Sequence, residues 1–143
     1  MATMLTGCAA VTFGAPVPAV EPAIALTLLA LGLAVVSGKT WSAVAVCGLF
    51  AIAGVFHGAA FGGAMAAAEA SALWTVLTGY LLGLGLIQYV LCVSAGYAIT
   101  RAWGAMDAHA VPARLAGAMV GGVGLFLTLE HLEGAAFSAF GVG

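Results

Sequence analysis

Long apolar segments separated by single charged residues constrain this chain more than any other feature. Only 6% of its 143 residues are charged and 64% are hydrophobic, whereas soluble domains carry about 25% charged residues. So little charge could not cover the surface of a water-soluble domain, and runs of about 18 or more apolar residues are typical of membrane-spanning helices. The sequence therefore predicts an integral membrane protein, with the lipid bilayer as its first partner.

The apolar segments are continuous and rich in alanine, leucine and glycine, which favours helices over the alternating pattern of a transmembrane β-barrel. Charged residues and prolines divide them into five blocks, at about 1–15, 23–36, 41–67, 71–100 and 113–129. We predict an all-α fold, a polytopic transmembrane helix bundle with about four to five spans in a single membrane domain, residues 1–143. The first block is short for a complete span.

Two segments are predicted to interrupt or end helices, and the tail is not expected to form a span of its own. Proline removes a backbone donor and restricts the residue before it, so the proline-rich segment 16–22 is not expected to form regular helix. Gly38 is predicted to stop the helix of the second block. The tail Glu130–Gly143 is expected to be too short and too broken for a further span.

The three basic residues predict the orientation of the bundle. Lys39 lies between the second and third blocks, and Arg101 and Arg114 flank the loop before the fifth. The positive-inside rule places both loops, 37–40 and 101–112, in the cytoplasm. Because two spans separate these loops, the assignment is consistent. The C-terminus is then outside, and the expected location is the bacterial inner membrane.

Glycines recur at four-residue spacing in three of the blocks. The sets are Gly54, Gly58 and Gly62; Gly79 and Gly83; and Gly117 and Gly121. Small residues at this spacing let helix backbones approach closely, and van der Waals contact then drives helix association within the membrane. These faces are predicted to pack helices inside the bundle or to dock another membrane-protein subunit.

His57 is the candidate functional residue, because it is an ionisable side chain inside the third apolar block. One interpretation is a hydrogen bond to a backbone carbonyl or a hydroxyl across the contact with a neighbouring helix. A second is ligation of a metal ion, which needs several N, S or O ligands. A third is axial ligation of a tetrapyrrole, for which Ala53, one turn earlier, would leave room for the macrocycle.

The metal interpretation needs partners for His57 from other segments. Cys92 and Gln88 in the fourth block are candidates across a helix contact, and Glu21 and Glu69 are candidates at the mouth of the bundle. The remaining histidines lie in the loop after the fourth block and near the end of the fifth, where solvation is the expected role.

The sequence does not predict an enzyme. It contains no Ser-His-Asp set, no glycine loop of the phosphate-binding kind and no paired carboxylates inside an apolar block. Three basic residues and a net charge of −2 also give no surface for nucleic acid.

Three stretches together resemble the HupE/UreJ family of small membrane proteins, which is associated with nickel or cobalt uptake for hydrogenase and urease. They are segment 18–33 with its Glu21-Pro22 step, segment 49–60 with its His57-Gly58 step, and segment 80–86. The resemblance covers roughly residues 4–129. It implies a helical membrane protein in which histidine and glutamate side chains bind the metal.

The chain departs from the family pattern at several of those ligands. Phe61 stands where the family motif has a second histidine, Ala64 where it has a glutamate, and a histidine of the next helix is replaced near Cys92. The family's N-terminal helices with their metal signature are also not found in this sequence. By resemblance, His57 is the ligand that carries over.

These observations predict a non-catalytic accessory or structural subunit packed into a larger membrane complex. The first alternative is a reduced nickel/cobalt permease, and the second is a tetrapyrrole-binding subunit that uses His57. The sequence does not name a cofactor or the partner complex.

Overall fold

A computed structural model describes residues 2–65, 73–104, 107 and 109–141, and α-helices account for most of them. The helices are α1 (Ala2–Thr12), α2 (Val20–Val36), α3 (Ala43–Met65), α4 (Leu73–Trp103) and α5 (Val111–Ala139). The described residues contain no strand. The predicted all-α class is therefore confirmed.

Three of these helices are long and apolar enough to cross a membrane, in the stretches Ala43–Gly63, Thr78–Ala102 and Val111–Ala139. The other two are apolar but shorter, with 11 residues in α1 and 17 in α2. At about 1.5 Å per residue they extend roughly 16 and 26 Å, less than the hydrocarbon core of about 30 Å. The protein is thus a membrane protein, in which three of the four to five predicted spans have full length.

The expectation that residues 16–22 avoid regular helix is wrong for the last three of them. Helix α2 begins at Val20, after Ala19 in the left-handed region with φ 53°, and includes Pro22 in its first turn. The first backbone N–H groups of a helix have no intrahelical acceptor, so a proline there removes no hydrogen bond. The proline-rich break is accordingly shorter than predicted.

Helix α5 continues past the fifth apolar block to Ala139 and is followed by Gly141 at φ 67°. Among the described residues the tail lengthens this helix and forms no further span, as expected. The segment 130–139 contains no proline, and its charged residues are compatible with helix. The charges here do not end the helix. At the other end α5 begins at Val111, with Pro112 again in the first turn.

The helices pack as two close pairs joined through α2 and α3. In the first pair α1 runs parallel to α3, because Thr3, Met4 and Cys8 follow one another along Gly54, Gly58 and Gly62. In the second, α2 runs antiparallel to α5, because Val35, Gly32 and Leu29 meet Gly117, Gly121 and Gly124 in turn. Helices α2 and α3 are also antiparallel, because the start of α2 and the end of α3 line one cavity.

Helix α4 packs least on the rest of the protein. None of its described side chains is buried, and its aromatic contact to α3 joins Tyr80 to Phe61, with ring centroids 6.2 Å apart and planes tilted by 59°. Its apolar side chains therefore face outward along almost the whole helix.

Lys39 and Arg114 lie at one end of the bundle, here called the basic end, and Arg101 precedes the start of α5 at that end by ten residues. The Nε of Arg114 donates a hydrogen bond of 3.0 Å to the carbonyl oxygen of Val36, three residues before Lys39. Arg101 lies in the last turn of α4, close in sequence to the start of α5. Glu21 lies in the first turn of α2, at the opposite end of that helix.

Candidate functional site

His57 lies in the middle of α3, half-buried, and its hydrogen bond stays within the helix. The Nδ1 atom is 2.8 Å from the carbonyl oxygen of Ala53, one turn earlier. Because a carbonyl oxygen only accepts, Nδ1 is the donor in this contact, and in the neutral imidazole Nε2 then carries the lone pair. One interpretation of the sequence placed the hydrogen-bond acceptor of His57 on a neighbouring helix. In the structure the acceptor belongs to α3 itself.

The neighbouring glycine explains why His57 does not reach α1. Gly58, rather than His57, lies against the backbone of Met4, and successive residues of an α-helix point about 100° apart. The imidazole is therefore carried to the side of the α1–α3 contact. The backbone of its own helix supplies the acceptor.

Ala53 was the residue that would leave space for a tetrapyrrole above His57. It is only 6% exposed, so protein atoms already cover the surface one turn before the histidine. This arrangement does not provide the open face that a macrocycle would need.

The candidate co-ligands of His57 are distributed along the bundle. Glu21 is exposed and lines a cavity of about 440 Å³ together with Ala59 and Gly63 of α3. Cys92 is exposed on α4, twelve residues or more than three turns beyond Tyr80. Within the described residues no group of three or more His, Cys, Asp or Glu side chains is placed to hold a metal ion.

The other candidates add no ligand cluster. Gln88 lies on α4, four residues before Cys92, and is half-buried, whereas Glu69 is outside the described residues. The backbone N–H of His109 donates to the carboxylate of Asp107, 3.3 Å away, in the loop after α4. His131 lies on α5, which extends past it.

The glycines of α3 form the contact surface for α1. A Cβ on Gly54 would meet the side chain of Thr3, and one on Gly58 would meet the carbonyl group of Met4. On the other helix, Gly7 lies against the carbonyl oxygen of Val55. The two backbones are therefore in direct contact, which a side chain at any of these positions would prevent.

The glycines of α5 form the equivalent surface for α2. A Cβ on Gly117 would lie 2.8 Å from the Cβ of Val35, and one on Gly124 would lie 2.8 Å from the carbonyl carbon of Leu28. Gly32 of α2 faces Gly121, so a glycine from each helix meets at the centre of this contact.

Sequence reasoning overlooked Gly7, Gly32 and Gly124. A signal for Gly124 was available, because glycines at 117, 121 and 124 are spaced by four and three residues and so share one helix face. Gly7 and Gly32 are single glycines in α1 and α2, and no spacing marked them.

Gly79 and Gly83 of α4 differ from the other predicted glycine positions. A Cβ built on either would meet no atom within 4 Å. In the described part of the chain, the two glycines leave a shallow, unfilled strip on the outward surface of α4.

In a comparison with protein families, the family model described as "HupE / UreJ protein" matches residues 1–127. Comparisons with the curated proteins and with the solved structures give no match.

Proposed function

This chain belongs to the HupE/UreJ family, which is associated with nickel and cobalt transport, and we propose that it is a non-catalytic accessory subunit of a larger membrane complex. The complex lies in the bacterial inner membrane, with the basic end in the cytoplasm. The family membership indicates a membrane protein. The subunit role is supported by a difference in packing: α1, α2, α3 and α5 pack in pairs, whereas no described side chain of α4 is buried.

The observation that carries this proposal is the unfilled surface of α4. Its apolar stretch Thr78–Ala102 spans 25 residues, and none of that helix's described side chains is buried. Gly79 and Gly83 have the spacing that permits close backbone contact, yet no atom of the described chain fills the space beside them. A helix from another subunit would supply the missing contact.

Phe61 supports a structural role for the region around His57. The family motif has a histidine at this position, but here the phenyl ring packs against Tyr80 and connects α3 to α4. The side chain that would be a second ligand in the family pattern thus holds two helices together. His57 itself remains hydrogen-bonded within α3.

The test is gentle extraction of the tagged protein from native membranes, followed by identification of the proteins that co-purify. The informative variant is Gly83→Leu, which places a branched side chain in the unfilled strip of α4. We expect it to abolish co-purification while leaving the helix pairs intact, because Gly83 has no neighbour within 4 Å.

Gly122→Leu is the matched control, since Gly122 is also exposed and has no neighbour within 4 Å, but lies on α5. Co-purification should survive this change. A protein that purifies alone from native membranes would overturn the subunit proposal, and equal losses in the two variants would remove α4 as the docking surface.

The second candidate function is a reduced nickel/cobalt permease. It is favoured by the family itself and by the imidazole of His57, whose Nε2 lone pair has no partner among the described residues. Nickel and cobalt uptake by cells that express the chain, abolished by His57→Ala, would establish this function. No uptake above that of cells without the protein would exclude it.

A further inference from the structure

An apolar groove opens at the basic end, between α2 and α3. Its volume is about 770 Å³, and its walls include Leu31 and Ala34 of α2, Leu49 of α3 and Ala113 at the start of α5. This volume is within the range of about 300–1,000 Å³ that is typical of small-molecule sites. The helices on its two sides pack mainly on other partners, α2 on α5 and α3 on α1.

The turn between α2 and α3 gives the groove a polar rim. Lys39 and Thr40 line it there together with Trp41. The indole N–H of Trp41 donates to the carbonyl oxygen of Ala34 at 3.3 Å, which holds the ring beside the end of α2. Lys39 is exposed, and among the described residues no carboxylate forms an ion pair with it.

We propose that this groove binds a phospholipid with an anionic headgroup. A site with apolar walls and one cationic rim has the same polarity along its length as a phospholipid, whose acyl chain would lie between Leu31 and Leu49. Lys39 would neutralise the headgroup charge, and the Thr40 hydroxyl can donate to a phosphate oxygen. Trp41 is a residue type that concentrates at the membrane–water interface, where that phosphate lies.

Charge complementarity selects the anionic lipid over a zwitterionic one. Lys39 lines the rim of the groove, whereas Arg114 is held at the end of α2 by its hydrogen bond to the Val36 carbonyl. Lys39 is therefore the cation placed to meet a headgroup in the groove. One lysine near a membrane surface contributes about 1 kcal/mol of attraction to anionic lipid, or roughly a fivefold preference. This proposal concerns a different surface from α4 and does not depend on the subunit role.

The test is native mass spectrometry of the full chain in mild detergent, titrated with phosphatidylglycerol or phosphatidylcholine that carry identical acyl chains. We expect tighter binding of phosphatidylglycerol, and Lys39→Gln should weaken it about fivefold without affecting phosphatidylcholine. Arg101→Gln is the control, because it removes a basic residue that does not line the groove. Equal binding of the two lipids by the unmodified chain, or equal effects of the two substitutions, would overturn the proposal.

A second pair of variants tests the apolar walls. Ala45 lines the groove, whereas the adjacent Val44 is 83% exposed and lies outside it. Ala45→Phe should abolish binding of both lipids, and Val44→Phe should leave it unchanged. If Val44→Phe loses binding to the same extent, the groove is not the site.

Photo-crosslinking in native membranes distinguishes a lipid from a protein occupant. A photoreactive amino acid at position 46, on the α3 wall, should give an adduct with the mass of a phospholipid. An adduct with a second copy of this chain, or with another membrane protein, would show that a helix fills the groove and would overturn the proposal.

Discussion

Gly58 illustrates what single residues do in this protein. In a soluble domain, association of helices is driven by large apolar side chains leaving water. Between lipid-exposed helices that driving force is absent, and close packing of small residues replaces it. The backbone of Met4 occupies the position where Gly58 would carry a Cβ. The α1–α3 contact therefore requires glycine, which has a hydrogen atom in place of a side chain, at a few positions.

We predict that Gly58→Ala separates α1 from α3 and lowers the free energy of unfolding by about 1–3 kcal/mol, the usual range for overpacking. The neighbour is backbone and cannot rotate away. Gly48→Ala in the same helix is the control, since Gly48 has no neighbour within 4 Å, and alanine there should be neutral or stabilising by up to about 1 kcal/mol. Unfolding by SDS titration measures both; equal effects would contradict the packing.

His57→Ala is predicted to change the free energy of unfolding by no more than about 1 kcal/mol. The imidazole donates to the carbonyl of Ala53, and after its removal that carbonyl keeps its α-helical hydrogen bond, so no buried group loses its last partner. The same SDS titration gives the value. A loss as large as that of Gly58→Ala would mean that the imidazole satisfies a group outside its own helix.

At the scale of helices, α2 and α5 contact each other at two places along their length. Glycines meet at the middle of the pair, where Gly32 faces Gly121, and a charged hydrogen bond closes the basic end, where Arg114 donates to Val36. Val36 is the last residue of α2, and its carbonyl has no intrahelical donor. A guanidinium there also interacts favourably with the negative end of the helix dipole.

We predict that Arg114→Gln lowers the free energy of unfolding by about 1 kcal/mol, because it removes the charge near the end of α2 and weakens that hydrogen bond. Part of the effect should disappear at high salt, since Arg114 is exposed. Arg101→Gln provides the control: it removes the same charge, but no contact of the Arg101 side chain holds two described helices together. An identical loss in both variants would show a general charge effect instead.

At the scale of the whole molecule, the two close pairs of helices and the weakly packed α4 divide the protein into a tightly packed part and an accessible helix. The pairs are built on one glycine of α1, one of α2 and three each of α3 and α5. The glycines at positions 79 and 83 remain on the outside. This division is the reason for proposing that α4 meets the other subunit.

The orientation of the molecule is tested with single cysteines in a variant that lacks Cys8, Cys47 and Cys92. Thr40→Cys lies at the basic end and Pro18→Cys at the opposite end of α2; both positions are exposed. Since basic loops are retained in the cytoplasm, a membrane-impermeant thiol reagent should label Pro18→Cys in cells with a permeable outer membrane. It should label Thr40→Cys only after the inner membrane is opened.

Ala102→Cys, at the end of α4, is the internal control and should behave like Thr40→Cys, because Arg101 precedes the start of α5 at the basic end by ten residues. The reverse labelling pattern would invert the orientation. Labelling of both ends from one side would show that α2, with its 17 residues, does not cross the membrane.

Much of the helical organisation was predictable from local features of the sequence. The rarity of charge indicated a membrane protein, and the apolar blocks located all five helices. Gly38 was recognised as a stop, and α2 does end at Val36, with Gly38 at φ 65°. The error lies at the start of a helix, where Pro22 is accommodated in the first turn of α2. Helix α5 also extends beyond the last apolar block, through Glu130, because a charged residue does not by itself end a helix.

The partners of the helices were not predictable in the same way. Four-residue spacing identified a face on each of α3, α4 and α5 without indicating that two of these faces pack on short helices while that of α4 remains open. His57 was recognised as a polar group in need of a partner, but the choice of the Ala53 carbonyl depends on its rotamer and on the position of α1. Polarity and helix formation follow from residues close together in the chain. Which faces meet depends on the rotation and depth of each helix relative to the others, and only the packed bundle decides these.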